Sequence, residues 1–110
     1  MARPSAYQAV WIIALFDLPT DSRSARRAYT QFRSQLLDNG FDMLQYSVYA
    51  RYCPSEEKAK VFHRKIKGFL PPDGEVRLMS LTDIQFGKMK VYHGKIRQAP
   101  EKAPEQVEMF

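Results

Sequence analysis

The apolar run Val10-Trp11-Ile12-Ile13-Ala14-Leu15-Phe16, ended by Asp17 and followed by Leu18-Pro19-Thr20, constrains this chain more than any other segment. It is short for a buried helix and rich in β-branched and aromatic side chains, so it reads as a strand buried on both faces at the centre of a sheet. The carboxylate of Asp17 then emerges where a central strand opens into a loop. A group in that place can hold a metal or act in catalysis. It can equally accept backbone amides in the turn that Pro19 helps to set, and position alone leaves both roles open.

A chain of 110 residues supports one domain with a single modest core and leaves no room for a separate catalytic domain. Seventeen Lys and Arg against twelve Asp and Glu give a net charge of +5. Residues 98–110 hold one Lys and three Glu, which leaves sixteen basic and nine acidic residues, +7, in residues 1–97. A basic body with a mildly acidic tail suits a polyanionic partner, although charge alone does not name one.

A single cysteine, Cys53, rules out an intrachain disulfide and a multi-cysteine metal site, and a reducing cytoplasm is the expected compartment. Between Tyr52 and Pro54, Cys53 reads as a buried spectator thiol. His63 and His93 do not form a close-spaced ligand pair. No segment has the length of a bilayer span, and the apolar run leads into Asp-Leu-Pro rather than a small-residue cleavage site, so neither membrane insertion nor a signal peptide is expected.

Residues 1–9 read as a loose lead-in. Ser22 can cap a helix running to about Asn39 and stopped by Gly40, with Ala25, Ala28, Tyr29, Phe32 and Leu36 on its inner face. Phe41–Tyr52 reads as strand, with Leu44, Tyr46, Val48, Ala50 and Tyr52 alternating, either unbroken or as a hairpin turning near Gln45–Ser47. Pro54-Ser55-Glu56-Glu57 opens a second helix whose inner face is Ala59, Phe62, Ile66, Phe69 and Leu70, stopped by Pro71-Pro72-Asp73-Gly74. Glu75–Leu81 is a further strand, Met89–His93 a short last one, and residues 97–110 a mobile tail.

With the middle segment as a hairpin, the order is the βαββαβ pattern of a ferredoxin-like α+β sandwich with an extra C-terminal strand, spanning residues 10–96. Two helices cover one sheet face. The other is expected to expose Tyr49 or Tyr46, depending on register, and a partner subunit would bury it.

Phe16-Asp17-Leu18-Pro19-Thr20 before an arginine-rich helix, Phe32-Arg33 and Leu36-Leu37 leading to Asn39-Gly40-Phe41, then Met43-Leu44-Gln45-Tyr46-Ser47-Val48-Tyr49, form an ordered set. With the Gly-Glu-Val-Arg strand and Thr82-Asp83-Ile84-Gln85-Phe86, it resembles the CRISPR-associated Cas-two family over about residues 10–96, closest to the versions of type II systems. The resemblance implies a ferredoxin-like homodimer that works with Cas-one integrase dimers in acquiring new spacers, with the duplex DNA to be inserted lying across its basic surface. It also implies a magnesium-dependent endonuclease in which the aspartate after the first strand, here Asp17, is catalytic and ligates the Mg2+ ion.

The residues bear on this in two ways. One carboxylate per protomer is a thin site for magnesium-assisted hydrolysis, and a two-fold axis would pair two copies of Asp17; Asp21 is a second ligand or a solvated turn residue. For phosphate contact, Arg23, Arg26 and Arg27 lie away from the apolar face of the first helix and have no acid among them, while Lys60, Arg64 and Lys67 share one flank of the second. Three classes of function therefore stand: a DNA-binding subunit of a spacer-integration complex, a free-standing metal-dependent nuclease acting on RNA or duplex DNA, and a generic RNA-binding module. The last lacks the Arg-Gly-Phe type of string that an RNA-recognition motif carries.

Overall fold

The apolar run becomes β1 (Val10–Asp17), hydrogen-bonded on one side to β3 (Val48–Cys53) and on the other to β4 (Glu75–Thr82). This computed structural model describes residues 8–95, so most of the expected lead-in and all of the expected tail lie outside the described residues. With β2 (Asp42–Gln45) beside β3, the sheet order is β2-β3-β1-β4 and every neighbouring pair is antiparallel. α1 (Arg23–Asp38) joins β1 to β2 and α2 (Glu56–Lys67) joins β3 to β4. Each helix thus crosses over one intervening strand, and the two interlocked crossovers make the ferredoxin-like sandwich that the order of elements predicts.

Local chemistry sets the boundaries. The Ser22 hydroxyl accepts the Ala25 amide at 3.1 Å and starts α1, and Gly40 at φ 84° ends it in the left-handed region. Ser55 does the same for α2 through the Lys58 amide at 3.2 Å. The middle segment is the hairpin alternative, with Tyr46 and Ser47 between β2 and β3 and Ser47 at φ 64°.

The core lies between the helices and the sheet face formed by Val10, Ile12, Ala14, Phe16, Tyr49 and Cys53, against Phe32, Leu36, Ala59, Phe62 and Ile66. Burial of each large apolar side chain contributes about 1.5–3 kcal/mol, enough for a handful of them to decide which face is covered. Arg51 reaches over this core: its guanidinium lies 3.9 Å from the centroid of Phe62, and its Nε donates to the Asn39 carbonyl at 2.9 Å. One side chain on β3 thereby ties the end of α1 to α2.

Three expectations are corrected. Tyr49 is buried under the helices at 1% exposure, because its register places it on the face of Ile12 rather than that of Ile13. Tyr46 lies in the turn, so the helix-free face carries Trp11, Ile13, Leu15, Val48, Ala50, Tyr52 and Met79 instead. Leu70 is exposed, since α2 stops at Lys67 and the chain has left the helical phase before reaching it. The strand expected at Met89–His93 does not form among the described residues: a five-residue helix, α3 (Asp83–Gly87), turns the chain off β4, and the exposed segment that follows is not a strand of the described sheet. α3 starts at a capping box of Thr82 and Gln85, a T-x-x-Q signature present in the sequence. Its Phe86 stacks on Trp11 at 3.9 Å, and the Trp11 indole donates to Asp83 Oδ1 at 2.8 Å.

Candidate functional site

Asp17 is the last residue of β1, exposed, and on the helix-free face of the sheet. Its backbone is fixed from two sides. The Phe16 amide donates to the Ser47 carbonyl at 3.1 Å, and Gly74, at φ 93°, packs so close that a β-carbon there would stand 2.7 Å from the Asp17 carbonyl oxygen. The register places Glu75 directly opposite Asp17 on β4, with both side chains on one face. Leu15, Phe16, Asp17, Glu75 and Arg77 line a shallow depression of about 260 Å³, where Arg77 Nη2 pairs with Glu75 Oε1 at 3.2 Å.

Two carboxylates therefore stand at this end of the sheet. Asp21 is not one of them: it lines a different hollow, with Ser22, Pro71 and Pro72. Glu75 is not legible as a site residue from the sequence, because only the β1–β4 register brings it to Asp17. Among the described residues, no three His, Cys, Asp or Glu side chains gather as a ligand cluster.

Arg23, Arg26 and Arg27 occupy the first two turns of α1 and are all exposed. Arg26 Nη1 donates to the Thr20 carbonyl at 3.2 Å, which draws it toward the loop after Asp17. The first turn of α1 holds no acid, so these charges face the positive end of the helix dipole, an arrangement that disfavours the helix by some tenths of a kcal/mol per charge. α2 does the opposite, with Glu56 and Glu57 in its first turn and Arg64, Lys65 and Lys67 in its last. Its cations thus have a sufficient structural reason that the arginines of α1 lack.

Lys60, Arg64 and Lys67 come together along a groove of about 490 Å³ between α2 and the edge strand β4, shared with Glu56, His63 and Ser80. The sole ion pair among the described residues is Arg77–Glu75, so no carboxylate of the described residues pairs with either basic set. Cys53 is fully buried, and that burial pushes its thiol up, which keeps it protonated and inert. No helix among the described residues is long and apolar enough to cross a membrane.

Residues 10–89 match the family described as CRISPR associated protein Cas2. A protein of Parvibaculum lavamentivorans named CRISPR-associated endoribonuclease Cas2 is 50% identical over 101 residues, covering 92% of this chain and 100% of its own. Its namesake in Flavobacterium psychrophilum is 42% identical over 108 residues, covering 98% and 94%. A third, from Paracidovorax avenae, is 39% identical over 106 residues, covering 96% and 98%. With a family match over most of the chain, relatives of nearly equal length and the ferredoxin-like fold in place, this chain belongs to the Cas2 family.

Proposed function

We propose that this chain is a DNA-binding, scaffolding subunit of CRISPR spacer acquisition, a cytoplasmic homodimer that holds duplex DNA by its phosphates and joins Cas-one integrase dimers. The observation that carries the reading is the set Arg23, Arg26 and Arg27, placed against the dipole of α1 with no carboxylate of the described residues paired to it. Guanidinium groups in that position gain from an external anion what the helix does not supply. Lys60, Arg64 and Lys67 extend the basic surface, and Arg64 and Lys67 contribute less because the last turn of α2 already uses their charge.

Phosphate contact of this kind is blind to sequence and strongly salt-dependent. Replacing Arg23, Arg26 and Arg27 together with alanine is expected to weaken duplex binding on any sequence and to flatten the salt dependence by about one unit of log–log slope per lost contact. A titration of labelled duplex at several salt concentrations measures both. Unchanged affinity and slope would reduce these arginines to a solvated helix face.

Phosphodiester cleavage is the second reading, favoured by the position of Asp17 and by the name endoribonuclease that the relatives carry. Asp17 and Glu75 fit a magnesium ion in donor chemistry, since both offer hard oxygen ligands and such an ion is often held by one or two carboxylates with water completing its shell. When bound, the ion would polarise a phosphoryl oxygen and acidify a water. The chain's own part is to present Asp17 at a fixed backbone position, to hold Glu75 through Arg77, and to bring up a second Asp17 if two copies meet across the helix-free face.

A further inference from the structure

Tyr46 is 74% exposed in the two-residue turn between β2 and β3, yet its ring is held in place. It stacks on Tyr29 of α1, with centroids 5.9 Å apart and planes inclined by 21°. Tyr29 is itself braced: its ring meets Phe16 edge-on at 5.9 Å, and its hydroxyl shares a 3.2 Å hydrogen bond with Ser47 Oγ. The turn is anchored to β1 by the Phe16 amide on the Ser47 carbonyl. Phe16 continues into the core through Phe32, at 5.1 Å, so a chain of aromatic rings runs from the interior to a free outer face of Tyr46.

Arg26 and Arg33 lie three residues before and four residues after Tyr29, on the same side of α1, with β-carbons about 5–6 Å from that of Tyr29. Neither is in an ion pair with a described residue, and Arg33 makes no side-chain hydrogen bond to one. From this juxtaposition we propose that Tyr46, backed by Tyr29, is a stacking platform for an unpaired nucleobase, with Arg26 and Arg33 taking the phosphates of the same strand. The proposal rests on the nucleic-acid reading above and deepens it.

An aromatic face between cations is the combination by which proteins hold single strands, since every base offers a π face and every linkage an anion. A protein side chain on the ring would leave both guanidinium groups without a counter-charge. Bases inside a duplex are already stacked on one another, so the platform takes single-stranded ends or overhangs and leaves paired DNA to the α1 arginines. Tyr46 carries little of the fold, because most of its surface is in water.

The test uses the full chain and three probes: a blunt duplex, the same duplex with a short single-stranded overhang containing 2-aminopurine, and that overhang with an abasic site in place of the 2-aminopurine. DNA and RNA overhangs distinguish the source of the base. Wild type is expected to bind the overhang probe more tightly than the blunt one and to quench 2-aminopurine. Tyr46→Phe retains both effects. Tyr46→Leu, of comparable bulk without a ring, loses the quenching and about tenfold in overhang affinity while blunt-duplex binding holds, and the abasic probe makes wild type behave like this variant.

Equal overhang affinity and equal quenching in wild type and Tyr46→Leu would overturn the platform and leave duplex binding through α1 standing. Failure of wild type to bind any of the probes would overturn both.

Discussion

Asp17 owes its place to two neighbours rather than to its own bonds: the Ser47 carbonyl that receives the preceding amide, and Gly74, whose missing side chain lets the turn before β4 close on the Asp17 backbone. Asp17→Asn changes the charge and almost nothing in shape. If the carboxylate holds magnesium, that variant is expected to lose metal-dependent cleavage while duplex binding stays intact and stability moves by less than about 0.5 kcal/mol, as exposed substitutions generally do. Full residual cleavage would remove Asp17 from the catalytic role, whereas spacer integration that survives the change would favour scaffolding over hydrolysis. Gly74→Ala is the structural counterpart. It combines a left-handed backbone with a β-carbon 2.7 Å from a carbonyl oxygen, so a loss of about 1–3 kcal/mol is expected in urea titration.

Elements were legible where side chains and backbone share one local logic. Ser22, Gly40 and Ser55 mark the helix ends in the sequence and do so in the structure, because a cap depends on residues a few positions away. Tyr49 and Glu75 were not legible, since the face of one and the neighbour of the other follow from strand register, a long-range choice that alternation alone leaves free. α3 was legible in principle through Thr82 and Gln85, but its five residues give no helical periodicity to support the cap. Arg51 shows the same limit: nothing local distinguishes it from a surface arginine, yet it links the C-terminal end of α1 to the ring of Phe62. Arg51→Ala is expected to destabilise the domain by about 1–3 kcal/mol through the lost charged hydrogen bond and cation–π contact. A double-mutant cycle with Phe62→Leu assigns the ring's share, and additive effects would rule out the coupling.

At the scale of the molecule, α1 and α2 cover one side of the sheet among the described residues. Trp11, Tyr52 and Met79 on the helix-free face lead to Asp17 and Glu75 at one end, and Phe86 of α3 covers the other end alone. An apolar face of this kind bordered by charge suits a second copy of the same chain, and a two-fold axis there would set two Asp17 carboxylates on one side of the interface. The exposed segment Met89–His93, which is not a strand of the described sheet, is the element expected to add to a partner's sheet, where edge amides and carbonyls await a strand. Light scattering at micromolar concentration is therefore expected to give a dimer. Met79→Glu, which places a charge on the open face at a half-exposed position, should shift it to monomer with an unchanged circular dichroism spectrum. Truncation after Lys88 keeps α3 over Trp11 while removing the last segment, so it should weaken the dimer without unfolding the protomer. A wild-type monomer, or a Met79→Glu chain as dimeric as the parent, would place the association elsewhere and with it would fall the shared metal site, because Asp17 and Glu75 of one protomer would then have to suffice.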